Sequence, residues 1–311
     1  MTRISIIIPV WNEIEGLPLF YKSVDKALSQ LKDVTAELLF IDDGSHDGSF
    51  EFLSSLSQKD KRVHVLKFSK NFGSYVALTA GIAHCSGDAA ILLSADLQDP
   101  PELIPELLEK WKEGSQVVWA VRRSRSKDAL WRQIASRLFY DIFRKVALSN
   151  YPPQGYDFCL LDRLVIDAIK AVPEKHTSIF ALIVWMNFEA AKILYDRGAR
   201  IKGQSHWNFR KMLKLAIDSL ISYSVLPVRI SLWAAIFVSL GLFLYMGFII
   251  YCKLSGNIDL PPGWPSTMTV ILLTSGIQLV VLAILGEYLW RTLEQSRGRP
   301  PYIISKKIGI K

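Results

Sequence analysis

The chain has 311 residues, half of them hydrophobic, and carries a net charge of +8, which allows one large or two modest domains. Its three cysteines, Cys85, Cys159 and Cys252, show neither paired spacing nor a CxxC pair, so neither a disulfide framework nor a thiolate zinc site is supported. Much of the positive charge flanks apolar spans near the C-terminus, which suits anionic lipid headgroups better than nucleic acid.

The N-terminus begins Met1-Thr-Arg and enters a β-like run that stops at Pro9, far short of a secretory apolar region. Residues 1–205 are therefore expected to stay in the cytosol. Over the first 120 residues strand and helix alternate. Strands are expected near 4–9, 37–42, 63–68, 89–94 and 116–121, with helices near 14–31, 48–58, 74–85 and 101–113. Apolar runs such as Ile6-Ile-Ile and Leu38-Leu-Phe-Ile fit strands covered on both faces, hence an α/β fold with a mostly parallel sheet. Glycines at 44, 48, 73, 81 and 87 punctuate the turns.

Residues 129–148 form an amphipathic pattern, with Leu130, Ile134, Leu138, Ile142 and Val146 every fourth position. They lie in a headgroup plane or pack on the globular domain, and the sequence leaves both open. A second basic amphipathic stretch, 208–224, leads into the apolar part and is read as lying at a membrane interface. From Ile230 to Cys252 there are 23 residues without a charge, and from Leu260 to Gly286 another 27. A bilayer core needs about 20 apolar residues as helix, so two transmembrane helices are expected near 229–252 and 266–290. Basic residues precede the first and follow the second, while the loop between carries only Lys253 and Asp259. The positive-inside rule then puts both termini in the cytoplasm of a multi-pass inner-membrane protein. The expected division is a catalytic domain at 1–205, an interface helix at 206–228 and a membrane domain with a basic cytosolic tail at 229–311.

Three segments end strands in carboxylates, amides or prolines: Ser5-Ile-Ile-Ile-Pro-Val-Trp-Asn-Glu13, Leu38-Leu-Phe-Ile-Asp-Asp-Gly-Ser45 and Ser94-Ala-Asp-Leu-Gln-Asp-Pro-Pro101. Ligands of open α/β sheets sit beyond such carboxyl ends. Asp96 and Gln98, on alternate positions past a strand, offer the hard oxygens that Mg²⁺ or Mn²⁺ prefer. Asp42 is a carboxylate able to accept from a ring N–H or a ribose hydroxyl, whereas Asp43 and Ser45 are assigned mainly to turn and helix-cap chemistry. In Lys70-Asn71-Phe72-Gly73 the lysine and glycine either face a phosphate or serve the turn alone.

Together these segments resemble the nucleotide-sugar domain of inverting family 2 glycosyltransferases, with a glycosyltransferase-A fold. Further motifs narrow the likeness to polyprenyl-phosphate glycosyltransferases, close to bacterial enzymes that glycosylate undecaprenyl phosphate and to dolichol-phosphate mannose synthases. The carriers are Trp131-Arg132-x-x-x-Ser136, Gly155-Tyr-Asp-Phe-Cys-Leu-Leu-Asp-Arg163, Ser205-His-Trp-Asn-Phe-Arg-Lys211 and Arg299-Pro-Pro-Tyr-Ile303. The resemblance implies donor binding at Pro9, Val10, Glu13, Asp42, Lys70 and Ser94, with Arg210 and Lys211 closing near the pyrophosphate. It implies a metal at Asp96 and Gln98, an acceptor phosphate at Arg122, Arg132 and Ser136, and Asp96 and Asp157 as catalytic residues, with Asp157 lining the sugar pocket to bind sugar hydroxyls or steer the acceptor. Arg163 is read as holding its motif through an ion pair. Ser94 departs from the family's Asp-x-Asp-x-Gln pattern, leaving Asp96 and Gln98 of it.

The implied reaction moves a hexose from an NDP-sugar to polyprenyl phosphate for use in the cell envelope. UDP-glucose is the favoured donor, ahead of UDP-N-acetylhexosamine and GDP-mannose. A phosphate nucleophile needs no strong general base, so the absence of a histidine constellation is no obstacle. The competing reading is an inactive membrane scaffold, motivated by Ser94. A homo-oligomer, a tetramer, is implied by the resemblance alone, and no nucleic-acid partner is expected.

Overall fold

The computed structural model describes residues 1–123, 158–172, 178–196 and 263–310, with single residues and short runs between 141 and 150 and between 232 and 255. The chain divides into two compact units, Met1–Ser222 with Pro300–Lys311, and Tyr223–Arg299.

In the first unit the expected alternation is present. β1 (Thr2–Val10), β2 (Val34–Asp42), β3 (Val63–Phe68), β4 (Ala89–Leu92) and β5 (Val117–Arg122) alternate with α1 (Leu17–Ser29), α2 (Ser49–Lys59), α3 (Ser74–His84) and α4 (Ile104–Lys112), the last preceded by a 3-10 turn at Pro101–Leu103. Among the described residues three later strands join the sheet: β6 (Phe158–Asp162), β7 (Ala190–Tyr195) and β8 (Ile304–Ile308), with α5 (Arg163–Ala171) and α6 (Ile179–Met186) between β6 and β7. Among the described residues the order is β7-β5-β6-β4-β1-β2-β3-β8. β1 runs parallel to β2 and β4, β2 to β3, and β5 to β7, while β6 is antiparallel to β4 and β5, and β8 to β3.

Strand side chains alternate faces, so a sheet covered on both sides needs apolar residues at consecutive positions. Ile4, Ile6, Ile8 and Val10 enter one core with Phe20 and Val24 of α1, Leu53 of α2 and Leu107 of α4. Ile7, Leu39 and Ile41 enter the other with Ala77 and Ala80 of α3, Val165 and Ile169 of α5 and Ile183 of α6. The absence of a Cβ at Gly81 lets α3 approach Ile7, which any larger residue would overlap.

A buried polar cluster closes the amino-terminal edge. Glu37 accepts from the Ser5 and Ser86 hydroxyls and from the Ser86 N–H, and pairs with Arg3 at 2.9 Å. Burial raises its pKa, but these donors outweigh it and hold the carboxyl below its ordinary value.

β8 was not anticipated. The tail, expected as a basic cytosolic extension after the membrane segment, supplies an outer strand paired with β3 among the described residues.

In the second unit, α7 (Trp264–Ser296) is a 33-residue helix that contains the span expected at 266–290. Its stretch Leu273–Trp290 is, among the described residues, the one helix long and apolar enough to cross a membrane, and none of it is buried. At 1.5 Å per residue that stretch is about 27 Å long, close to a hydrocarbon core. Of the other expected span, 229–252, the structure describes part of a shorter apolar helix, Ile236–Tyr245. Two transmembrane helices are thus not established; one candidate is.

Candidate active site at the carboxyl edge of the sheet

β1 is flanked by β2 on one side and β4 on the other, so the strand order reverses there and opens a crevice beyond the carboxyl ends. Val10 lies opposite Asp42 in the parallel register, which brings the first two motifs together. The loops that follow are laced by side chains. The Asn12 N–H donates to Ser45 Oγ at 3.0 Å, and the His46 N–H returns to Asn12 Oδ1 at 2.9 Å. The Glu13 N–H donates to Ser49 Oγ at 3.1 Å, and the Ile14 N–H to Asp47 Oδ2 at 3.0 Å. Asn12 is held at φ 56°, a conformation Asn tolerates better than most residues. A cavity of about 610 Å³ lies between these loops, lined by Asn12, Glu13, Ile14, Glu15, Gly16, His46 and Asp47. Glu13 was expected at a ligand; His46 and Asp47 were not, because no spacing in the sequence links them to the first strand.

Asp42 is fully buried. Its Oδ1 accepts the Ser45 N–H at 3.0 Å, while Oδ2 has no hydrogen-bond partner among the described residues and lies 3.9 Å from Lys67 Nζ. Burial raises its pKa, against the pull of Ser45 and Lys67. A buried carboxylate oxygen without a donor is costly and is what a ligand N–H or hydroxyl would relieve.

Asp43 and Ser45 differ from their expected turn and cap roles. Asp43 accepts the backbone N–H groups of Phe72 and Gly73 at 2.6 and 2.8 Å, joining the loop after β2 to the loop after β3. Ser45 accepts from the first loop instead of capping α2, whose first turn is served by Asp47 accepting from the Ser49 N–H and hydroxyl. Gly44 makes this junction possible: its φ is +73°, and a Cβ there would stand 2.6 Å from the Lys70 carbonyl carbon. Lys70 is exposed at the rim, its Nζ 5.1 Å from the Phe72 ring centre.

Beyond β4 the chain stays beside β1, the Leu93 N–H donating to the Ile7 carbonyl at 3.0 Å, and delivers Ser94, Asp96 and Gln98 to the same edge. Asp96 is buried and accepts the Gln98 N–H on Oδ1 at 3.1 Å, across Leu97 at φ 57°. One carboxylate and one amide carbonyl make a hard-oxygen pair suited to Mg²⁺ or Mn²⁺. No group of three His, Cys, Asp or Glu side chains converges among the described residues, so an ion at this pair would need further oxygens from water or a ligand. Asp99, also buried, accepts the Tyr195 hydroxyl at 2.7 Å. Tyr195 ends β7 opposite Arg122, the last residue of β5, so Arg122 reaches the same edge.

Arg132, Ser136, Asp157, Arg210 and Lys211 lie outside the described residues. β6 runs antiparallel to β4 with Cys159 opposite Leu92, so the chain enters β6 at the carboxyl edge and leaves it at the opposite one. Asp162, at that far end, caps α5 by accepting the Leu164 N–H at 2.8 Å and accepts Trp111 Nε1–H at 2.7 Å. Arg163 forms its ion pair with Asp167 one turn on, at 3.0 Å. This half of the motif is structural.

The sequence profile described as Glycosyl transferase family 2 matches residues 5–169, which takes in every strand end described above from β1 to β6. The chain belongs to glycosyl transferase family 2. Across almost its whole length this family 2 protein is also similar to curated relatives. A Bactoprenol glucosyl transferase of Shigella phage SfV is 36% identical over 305 residues, covering 98% of this chain and 99% of the relative. An uncharacterized glycosyltransferase of Synechocystis sp. is 36% identical over 308 residues, 99% and 96% of the two chains. Among solved structures, glucosyl-3-phosphoglycerate synthase from Mycobacterium tuberculosis with Mn²⁺, UDP-glucose and phosphoglyceric acid gives a TM-score of 0.49 at 18% identity, over 71% of this chain and 79% of that one.

Proposed function

We propose that this glycosyltransferase moves a hexose, glucose from UDP-glucose in first place, onto the phosphate of a polyprenyl carrier at the cytoplasmic face of a membrane. The observation that carries the reading is the full-length similarity to a bactoprenol glucosyl transferase. It extends through the sheet, the apolar helix and the returning tail, so it is not confined to a shared donor domain.

The donor nucleoside would sit against Pro9, Val10 and Glu13, with the buried Asp42 Oδ2 accepting from the base or ribose. Lys70 and Ser94 would face the pyrophosphate, with Arg210 and Lys211 closing over it. A divalent cation held by Asp96 and Gln98 would offset the charge that develops on the departing diphosphate. The acceptor phosphate, bound by Arg122, Arg132 and Ser136 through planar guanidinium donors, attacks the anomeric carbon with one of its own oxygens. The bond from that carbon to the diphosphate breaks and the nucleoside diphosphate leaves, inverting the centre. The nucleophile is already anionic, so the chain's task is positioning and charge stabilisation. Asp157 would line the sugar. The product would be a lipid-linked sugar for envelope glycans, and a homo-oligomer remains part of the proposal.

The test is transfer from labelled UDP- and GDP-sugars to undecaprenyl phosphate by the purified full-length protein, with Mg²⁺ or Mn²⁺ and with EDTA. One sugar entering the lipid phase only with metal supports the reading and names the donor. No transfer from any donor by folded protein overturns it in favour of the scaffold that Ser94 suggests. Arg132→Ala is expected to raise the KM for the lipid more than that for the donor. Loss of donor affinity alone would remove Arg132 from the acceptor site.

A further inference from the structure

The C-terminal tail docks where the donor-edge loop begins. β8 pairs with β3 at that strand's carboxyl end, with a register shift between Lys67 and Phe68. The Ser69 N–H donates to the Ile303 carbonyl at 2.9 Å, and the Ser305 hydroxyl reaches the Lys67 and Phe68 carbonyls at 3.1 and 3.2 Å. These bonds fasten the last residues of β3 immediately before Lys70-Asn71-Phe72-Gly73.

Side chains extend the contact into the loop. The Tyr302 ring stacks on Phe68 with centroids 5.1 Å apart and planes 15° from parallel. Phe68 meets Phe72 edge to face at 5.6 Å and 88°. Phe72 is therefore held twice, its amide by the Asp43 carboxylate and its ring by Phe68 with Tyr302 behind. Without the Tyr302 ring, one face of Phe68 loses its partner and the pair below it is free to shift. That shift would move the Phe72 and Gly73 amides away from Asp43, and Lys70 with them.

We propose that Tyr302 is a positioning residue for sugar-nucleotide binding, acting through Phe68 and Phe72 on the Lys70–Gly73 loop. This rests on the reading of that loop as part of the donor site. It makes the segment that follows α7 a working part of the edge rather than a passive terminus. The ring is the operative feature and the hydroxyl is not.

The experiment compares full-length wild type, Tyr302→Ala and Tyr302→Phe in detergent or nanodiscs, by amide hydrogen exchange and by transfer kinetics. In Tyr302→Ala, exchange at Phe72 and Gly73 is expected to accelerate roughly three- to tenfold, the range of one aromatic pair. Exchange within β1 should stay unchanged. The KM for the sugar nucleotide should rise by a similar factor while kcat and the lipid KM stay within about twofold, and Tyr302→Phe should restore both readouts. Unchanged exchange at Phe72 and Gly73 would overturn the proposal, as would a Tyr302→Phe variant no better than Tyr302→Ala. If Tyr302→Ala does not fold, Tyr302→Leu, which keeps apolar volume without the stack, takes its place with the same expectations. A wild type that transfers no sugar sinks the functional reading alone, and the exchange comparison still decides the positioning. Faster exchange with an unchanged donor KM would show a positioned loop that the donor does not use, and would overturn the proposal as stated.

Discussion

The Asp43 carboxylate accepts the Phe72 N–H at 2.6 Å. Gly73 donates to the same carboxylate, so a buried acid ties together two loops whose residues stand about thirty positions apart. Burial pushes the Asp43 pKa up to about 6, against the pull of the two N–H groups, and the neighbouring Asp42 adds to the rise. The folded value exceeds the unfolded one, so the folded state binds more protons between them. The stability traceable to this group therefore falls as pH rises from about 3.8 to about 6, and is level above that. Asp43→Asn should remove this part of the pH dependence of the thermal midpoint. It should also raise the donor KM severalfold, because its amide nitrogen would face one of the two N–H donors. An unchanged pH profile in the variant would contradict the assignment.

Asp96→Ala should leave the protein folded and inserted while reducing transfer at least about a hundredfold. The expectation follows if a cation at this site supplies several kcal/mol of charge stabilisation. Activity together with a thermal midpoint measurement checks it, and near-normal turnover would remove the cation from Asp96.

Tyr195→Phe takes a hydroxyl from the buried Asp99 carboxylate. Depriving a buried polar group of a partner costs about 1–3 kcal/mol, visible as a lower unfolding midpoint. Because Asp99 follows Gln98, transfer should also slow, whereas a change in stability alone would confine the pair to a structural role.

Gly44 and Gly48 both have positive φ, but only Gly44 has backbone within reach of an added Cβ. Gly48→Ala should cost about 1–2 kcal/mol of conformational strain. Gly44→Ala should cost distinctly more and weaken donor binding, since it would push the Lys70–Asn71 backbone away. Equal losses in the two variants would show that conformation alone, and not the close approach, matters at Gly44.

The strands from β1 to β5 were legible because each is an apolar run bounded by turn residues, and a strand buried on both faces has no other way to be written. β8 was illegible for the opposite reason. Ile304-Ser-Lys-Lys-Ile308 has three exposed residues between its half-buried isoleucines, as suits an outer strand that charge protects from unwanted pairing. Its partner is also some 240 positions away. In the site, the carboxylates at strand ends could be read directly. The roles of Asp43 and Ser45 could not, since both bind backbone or loop atoms whose proximity only the folded sheet creates. Ser94, Asp96 and Gln98 do reach the same edge as Asp42, as the shared strand-end pattern implied.

The pairing of β8 with β3 also imposes a parity rule. The chain leaves the sheet after Tyr195 and rejoins it at Ile304, so both ends of the intervening segment belong to one body on one side of any bilayer. The number of crossings between them must be even. If α7 crosses, a second crossing must precede it, and Ile230–Cys252 is the remaining uncharged stretch of sufficient length. A reporter fused after Lys311 should then share the compartment of one fused before Met1, whichever way the helices tilt.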